Sequence, residues 1–221
     1  MPFFVNMLWR SYSIMNGQCR RQFLRNAFTA SAVLAVGGLP LVRATAAPAL
    51  PTGLPNDVMQ RGVEAFRMHS ALITKRRVMA IADFSVASAT PRFHLLNMED
   101  GANEALLVAH GKGSDPDHSG WVQNFSNVPG SLATSSGAYL VGESYIGKYG
   151  LSRRLVGLEP DNDQAEARAI VIHPAWYVSD AIATEQGKLG RSQGCFAFSE
   201  SDIAQVLWQL PTGSLIYAGK A

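Results

Sequence analysis

The first 46 of the 221 residues contain five arginines but no aspartate or glutamate. They also lack an apolar run long enough to span a membrane. The stretch from Ala27 to Val42 is about 16 residues long and is interrupted by Gly37, Gly38 and Pro40, whereas a spanning helix needs roughly 20. The missing length argues against a membrane anchor, and the missing acidic residues favour a cleaved export signal.

The basic part of this segment has a specific pattern. Arg20 and Arg21 are followed by Phe-Leu and another arginine, as a twin-arginine translocation signal requires. Small residues ending at Ala46 supply a cleavage site. We therefore predict export to the periplasm or cell surface, with membrane contact only during export. The predicted organisation is a twin-arginine signal peptide over 1–46, a proline-rich linker over 47–55 and a catalytic domain over 56–221.

Cysteine is scarce, since only Cys19 and Cys195 occur. Cys19 leaves with the predicted signal, so the domain enters an oxidising compartment with one cysteine and no internal partner. This excludes a disulfide framework. A lone exported thiol is either a small buried hydrophobic group or a reactive one.

The charge balance does not point to nucleic acid. The formal net charge is +2, but loss of the five arginines in residues 1–46 leaves about −3 on the domain. The hydrophobic content of 47% is sufficient for one buried core. We expect a single domain with no nucleic-acid partner, and the sequence does not define its oligomeric state.

The pattern of the domain predicts a mainly β, α+β fold. Asn56 or Asp57 can cap a helix that runs to about Ala71, and Ser199 to Asp202 has a capping-box pattern that opens a helix after Cys195. These helices are expected to cover a mixed β-sheet sandwich. Strands are predicted over 78–84, 92–97, 105–110, 138–143, 153–158, 169–173 and 214–218.

Cys195 follows a short turn that contains Gly190, Arg191 and Gly194. A nucleophilic cysteine needs a lowered pKa, a base, and donors for a developing oxyanion. Arg191 is a candidate to favour the thiolate, and the amides of Gly194 and Cys195 are candidate oxyanion donors. His173 ends a predicted strand, where its imidazole can face a cleft and take the thiol proton. Alternatively, the arginine is a solvated surface charge and the histidine is structural.

These residues resemble the active-site signature of the YkuD-like L,D-transpeptidases, in which a histidine and a gap precede Ser-His-Gly-Cys. Here the residues are His173 and then Ser192, Gln193, Gly194 and Cys195. The resemblance is closest to the second YkuD-like group of murein L,D-transpeptidases and extends from Phe66 to Ala218. Further stretches that carry it are 109–114, 125–131, 142–148, 153–159, 168–173 and 187–192.

The resemblance implies that the Cys195 thiolate attacks the bond between diaminopimelate and D-alanine in a peptidoglycan stem peptide. D-Alanine leaves, a thioester forms, and a neighbouring amine resolves it to give a cross-link, with His173 moving the protons. In such relatives a backbone carbonyl orients this histidine. Gln193 replaces the family's second histidine, so Gln193 is expected to orient substrate by hydrogen bonding instead. Neither a metal nor a nucleotide is needed.

Four alternatives remain open at this stage. His110 and Lys112 are expected to contact the substrate carboxylate, although each is also compatible with a structural or solvated role. His110, Asp115 and His118 also permit an open zinc site. On the same scaffold, water as the acceptor gives a hydrolase, and loss of turnover gives a wall-binding module.

Overall fold

The structure is a computed structural model that describes residues 56–221. The predicted signal peptide and linker lie outside the described residues. Within residues 56–221, no helix is both long enough and apolar enough to cross a membrane.

The first helix, α1 (Asp57–Met68), begins where its sequence predicts. The Asn56 side chain accepts a hydrogen bond from the Met59 amide at 3.0 Å, which satisfies one of the free amides of the first turn. Val58, Val63 and Phe66 form its buried face. This face packs on one side of the sheet, against residues that include Met79.

Eight strands form one hydrogen-bonded mixed sheet in the order β3-β2-β1-β8-β4-β5-β6-β7. Two of its pairs, β1 with β8 and β6 with β7, are parallel, and the other pairs are antiparallel. The strands are β1 (Val78–Asp83), β2 (Phe93–Asn97), β3 (Asn103–Leu106), β4 (Gly137–Gly147), β5 (Gly150–Gly157), β6 (Val171–Pro174), β7 (Phe196–Phe198) and β8 (Leu215–Gly219).

The sheet curls until its ends face each other. Phe93 of β2 and Phe198 of β7 are separated by five strands in the hydrogen-bonded order, yet their ring centroids are 4.7 Å apart in an edge-to-face contact. Both rings belong to one buried core with Tyr139 and Leu155. The curled sheet therefore encloses its main core as a sandwich does, while α1 covers a second core on the outer face.

Two further helices are α2 (Asp180–Gln186) and α3 (Ile203–Gln209). The predicted mainly β, mixed-sheet fold is confirmed, with a helix at the start of the domain and another after Cys195. The sequence pattern did not predict α2, which Ser179 caps by accepting from the Ile182 amide at 3.2 Å. The strand predicted over 105–110 is also split: β3 ends at Leu106, and Ala109 then bridges to Ala197 of β7.

Candidate active site

Cys195 immediately precedes β7, and His173 lies on β6, the parallel neighbour of β7. In the register of β6 and β7, Phe196 pairs with Ile172 and Ala197 pairs with His173. Cys195 stands two residues before Ala197, so extending this register by two residues places it on the same face of the sheet as His173. Both side chains line one cavity of about 560 Å³.

The turn before Cys195 requires its glycine. Gly194 has a φ of +117°, and a Cβ there would lie 2.7 Å from the Ile170 side chain and 2.8 Å from the Ala133 carbonyl oxygen. The Ser192 hydroxyl accepts from the Gly194 amide at 3.1 Å and donates to the Cys195 carbonyl at 2.7 Å. Ser192 therefore closes the turn, and the Gly194 amide, a candidate oxyanion donor, is already engaged.

A segment from far earlier in the chain packs against this turn. The Ser192 amide donates to the His110 carbonyl, and the Lys112 amide donates to the Ser192 carbonyl, each at 2.9 Å. A Cβ on Gly111 would lie 2.7 Å from the Gly194 amide nitrogen. The two backbones are therefore in direct contact, and the position of the cysteine depends on residues 110–112.

The His173 imidazole is held in one orientation. Its Nδ1 lies 2.8 Å from the Pro174 carbonyl oxygen, which can only accept, so Nδ1 carries the hydrogen and Nε2 is left with a lone pair. Tyr149 stacks on the ring with centroids 4.7 Å apart. Burial lowers the pKa of His173, although the hydrogen bond to Pro174 opposes this, so the ring is neutral at pH 7 and able to accept a proton.

Cys195 is partly buried, and burial raises the pKa of its thiol. The Val171 amide and the Arg168 guanidinium act in the opposite direction by stabilising the thiolate. Its sulfur lies 3.5 Å from the carbonyl oxygen of Ala169, a non-glycine residue with a φ of +53°. The resting site therefore pairs a neutral thiol with a neutral imidazole, so attack requires proton transfer.

Arg168 belongs to this site, and sequence analysis did not identify it as a site residue. One guanidinium nitrogen donates to the Ser126 carbonyl and the Ser135 hydroxyl at 2.6 Å each. The other donates to the Ser131 hydroxyl at 3.2 Å and to the Ala133 carbonyl. Arg168 thus ties residues 126–135, which form one wall of the cavity, to the segment beside the cysteine.

The remaining rim of the cavity includes Gln193 and Arg191. Gln193 is exposed to solvent. Arg191 donates to the carbonyl oxygens of Asp115 and, at 3.1 Å, Pro116, so it anchors the neighbouring loop. The arginine that acts on the thiol is therefore Arg168 rather than Arg191.

His110 and Lys112 do not line the cavity, contrary to expectation. Lys112 is exposed and begins a single 3-10 turn (Lys112–Ser114). His110 is fully buried, where Arg92 donates to its Nδ1 at 2.7 Å and its Nε2 lies 3.3 Å from Asp115. Burial and the Arg92 charge lower the pKa of His110 to about 4. The ring is therefore neutral and buttresses the loop without contacting a ligand in this cavity.

The same contacts bear on the open zinc site considered above. Asp115 accepts from the amides of Ser119 and Gly120 at 2.7 and 2.8 Å, while His118 Nε2 lies 2.9 Å from the Leu189 carbonyl oxygen. These hydrogen bonds occupy the side chains of Asp115 and His118, which would have to coordinate zinc in such a site. In the part of the chain that the structure describes, no three His, Cys, Asp or Glu side chains are grouped to hold a metal ion.

Comparison with known families gives one match over most of the chain. The family model for the L,D-transpeptidase catalytic domain, YkuD_2, matches residues 51–218. A search of curated proteins finds no significant match.

Three solved structures are distantly similar. They are LD transpeptidase LdtMt1 in complex with imipenem (14% identity, TM-score 0.40, 65% of this chain), an L,D-transpeptidase from Mycobacterium smegmatis (16%, 0.41, 65%), and a mutant of the helical cell shape determining protein Pgp2 from Campylobacter jejuni (13%, 0.43, 67%). The matched part spans 59%, 58% and 48% of those chains, respectively.

Proposed function

Because the chain belongs to the YkuD_2 family of L,D-transpeptidase catalytic domains, we propose that it is an exported peptidoglycan-modifying acyl-transferase with Cys195 as nucleophile and His173 as base. The proposed substrate is a stem peptide, cleaved between diaminopimelate and D-alanine. The observation that carries this proposal is that Cys195, just before β7, and a neutral, carbonyl-oriented His173 on β6 line one cavity.

The proposed first half-reaction uses the two neutral groups of the resting site. His173 Nε2 takes the thiol proton as the sulfur attacks the substrate carbonyl carbon, which forms a carbon–sulfur bond and an oxyanion. The oxyanion then collapses, the carbon–nitrogen bond breaks, and His173 returns the proton to the nitrogen of departing D-alanine. The product is a thioester on Cys195 with a neutral imidazole.

The second half-reaction repeats the proton transfers with an incoming amine. The nitrogen of the amine attacks the thioester carbon while His173 accepts a proton from it. The carbon–sulfur bond then breaks, and the sulfur of Cys195 regains that proton from His173. The Pro174 carbonyl stabilises the imidazolium formed in each half-reaction, because it accepts from Nδ1 at 2.8 Å. Since Ser192 occupies the Gly194 amide, we assign oxyanion binding to the Cys195 amide and substrate orientation to Gln193.

Acylation by imipenem tests the chemistry without requiring the natural acceptor. Intact-mass measurement should show one adduct on the wild-type chain and none on the Cys195→Ala variant. His173→Ala should slow acylation by a factor on the order of 10² or more, as loss of a general base usually does. An unchanged acylation rate in that variant would remove His173 from the mechanism, and a wild-type chain that forms no adduct would favour a wall-binding module.

Product analysis separates the possible acceptors. Purified sacculi incubated with the enzyme should gain cross-links if an amine resolves the thioester. Shortened stems without new cross-links would instead establish a hydrolase that uses water. Export is proposed from the pattern of residues 1–46, and replacing Arg20 and Arg21 with lysines should retain the chain in the cytoplasm.

A further inference from the structure

The proposed reaction places a positive charge on His173 in each half-reaction, and its surroundings disfavour that charge. Burial lowers the pKa of this imidazole, so the neutral ring is preferred. The described residues that line the cavity include no aspartate or glutamate, but they include three cationic residues, Lys148, Arg168 and Arg191. Within residues 56–221, the imidazole forms one hydrogen bond, to the Pro174 carbonyl. The imidazolium therefore needs a second source of stabilisation.

The face of the imidazole is covered by Tyr149. The two ring centroids are 4.7 Å apart and the ring planes differ by 24°, which is a stacked arrangement. The face of a phenol ring carries the negative part of its quadrupole, and it attracts a cation within about 6 Å of its centroid. The same ring already has one cation nearby, since Lys148 Nζ lies 5.4 Å from its centroid. A proton added to His173 is therefore placed where the field of Tyr149 favours it.

The fold holds Tyr149 in this position. Strand β5 begins at Gly150, directly after the two-residue turn of Lys148 and Tyr149. Gly150 has a φ of +94°, and a Cβ there would lie 3.8 Å from the Pro174 ring. The end of the β4–β5 hairpin therefore lies beside the residue that follows His173. The Tyr149 hydroxyl forms no hydrogen bond with any described residue, so its ring makes the contact that matters here.

We propose that Tyr149 is a positioning residue that stabilises the imidazolium form of His173 through its aromatic face. It would supply part of the stabilisation that a carboxylate gives the base of a Ser-His-Asp triad. Because the phenol ring is uncharged, it favours the imidazolium without keeping the resting base protonated. The catalytic consequence rests on the proposed function, since the imidazolium arises there when Nε2 takes the proton of Cys195. The stacked contact itself does not depend on a substrate.

The titration of the His173 ring measures this stabilisation directly. NMR spectra of the full-length chain with 15N-labelled histidine report on all five histidines, and a His173→Ala spectrum assigns the ring. Tyr149→Leu keeps an apolar cover but removes the aromatic face, so the pKa of His173 should fall by about 0.5. Greater exposure of the imidazole in this variant would act in the opposite direction, because burial is what lowers its pKa.

Two aromatic replacements and a matched control make the result specific. Tyr149→Phe keeps the face and loses only the hydroxyl, so His173 should titrate as in the wild type. Tyr149→Trp presents a face that binds cations more strongly and should raise the pKa of His173. Tyr145→Leu is the control, because Tyr145 lines the same cavity but its ring lies 4.7 Å from the Arg154 guanidinium instead. This variant should leave the titration of His173 unchanged.

The neighbouring charges are controlled in the same experiment. The titratable and charged groups that line the cavity with His173 are Tyr145, Lys148, Tyr149, Arg168, Tyr177, Arg191 and Cys195. Lys148 is the cation that shares the Tyr149 ring, so Lys148→Gln removes a repulsion and should raise the pKa of His173. A fall in Tyr149→Leu and a rise in Lys148→Gln would together separate the effect of the aromatic face from that of a displaced lysine.

Acylation by imipenem connects the stacked contact to the chemistry. Loss of the same stabilisation in the transition state should slow acylation of Tyr149→Leu about two- to fivefold at pH 7. Tyr149→Phe should react at the wild-type rate. A wild-type chain that forms no adduct, while Tyr149→Leu still lowers the pKa of His173, would contradict the proposed function and support the stacked contact.

Two results would overturn the inference. The first is an equal pKa of His173 in Tyr149→Leu and Tyr149→Phe, because the tyrosine would then act only as a cover. The second is a fall in Tyr145→Leu as large as that in Tyr149→Leu, because the effect would then not come from the stacked ring.

Discussion

Replacing Arg168 with methionine should raise the pKa of Cys195 and slow its reaction near neutral pH. Burial already raises the pKa of this thiol, and the Arg168 guanidinium is the charged group that opposes the shift. Removing this charge leaves burial opposed only by the Val171 amide, so the pKa should rise further. Arg168 is partly exposed to solvent, which screens its charge and limits the rise.

Each unit by which the pKa rises reduces the thiolate fraction at pH 7 about tenfold. The pH dependence of Cys195 alkylation by iodoacetamide measures this fraction directly. Peptide mapping distinguishes the Cys195 adduct from an adduct on Cys19, the only other cysteine. The midpoint of the rate profile should move to higher pH in Arg168→Met, with far-ultraviolet circular dichroism confirming that the variant is folded.

Two matched variants make the result specific. Arg168→Lys keeps the charge but loses the planar fork that reaches four acceptors, so its midpoint should lie between those of the wild type and Arg168→Met. Arg191→Met removes a guanidinium that binds the carbonyl oxygens of Asp115 and Pro116, and should move the midpoint little. An unmoved midpoint in Arg168→Met, or an equal shift in Arg191→Met, would refute the assignment.

Three further perturbations test other parts of the site. Imipenem acylation should rise with pH as His173 loses its proton, and because burial lowers the pKa of this imidazole, the rise should occur at lower pH than for an exposed histidine; a rate that rises only near the titration of Cys195 would contradict a base role. Gly111→Ala places a methyl group 2.7 Å from the Gly194 amide, so it should cost about 1–3 kcal/mol in denaturant unfolding and slow acylation. Burial opposes ionisation of Asp115, but the hydrogen bonds that it accepts from Ser119 and Gly120 lower its pKa. The ionised carboxylate therefore stabilises the folded state above pH 3.8, and this contribution to the free energy of unfolding is lost as the pH falls further. Asp115→Asn should flatten that acid-side fall in the urea midpoint, and an unchanged acid profile would exclude the carboxylate as its source.

Sequence pattern was sufficient for most of the fold. The cap at Asn56 and the apolar face of α1 are local features, and the mostly apolar run of β1 forms a strand over Val78–Asp83, close to the predicted 78–84. The helix after Cys195 also forms, although it begins at Ile203 rather than at Ser199. Ser199 instead closes a turn just before it, where its hydroxyl accepts from the Asp202 amide at 3.0 Å. Local signals therefore fixed which element forms more reliably than where it begins.

The features that the sequence pattern did not predict depend on contacts between residues that are far apart in the chain. His110 ends the strand predicted over 105–110, but Arg92, 18 residues earlier, is buried beside it. Composition gives no warning of a fully buried arginine, because such residues are usually exposed. Arg168 was missed as a site residue for a related reason, since its acceptors lie 33 to 42 residues earlier in the chain. The sequence therefore identified Cys195 and His173, which belong to a family signature. It did not identify Arg168, which holds the cavity wall formed by residues 126–135.

The contact between Gly111 and the turn at Gly194 makes the reactivity of the thiol a measure of how completely the chain has folded. Segments about 80 residues apart must meet before the sulfur has its final surroundings. A nascent or partly folded chain therefore carries an ordinary cysteine. The thiol acquires its final surroundings only when both segments are in place.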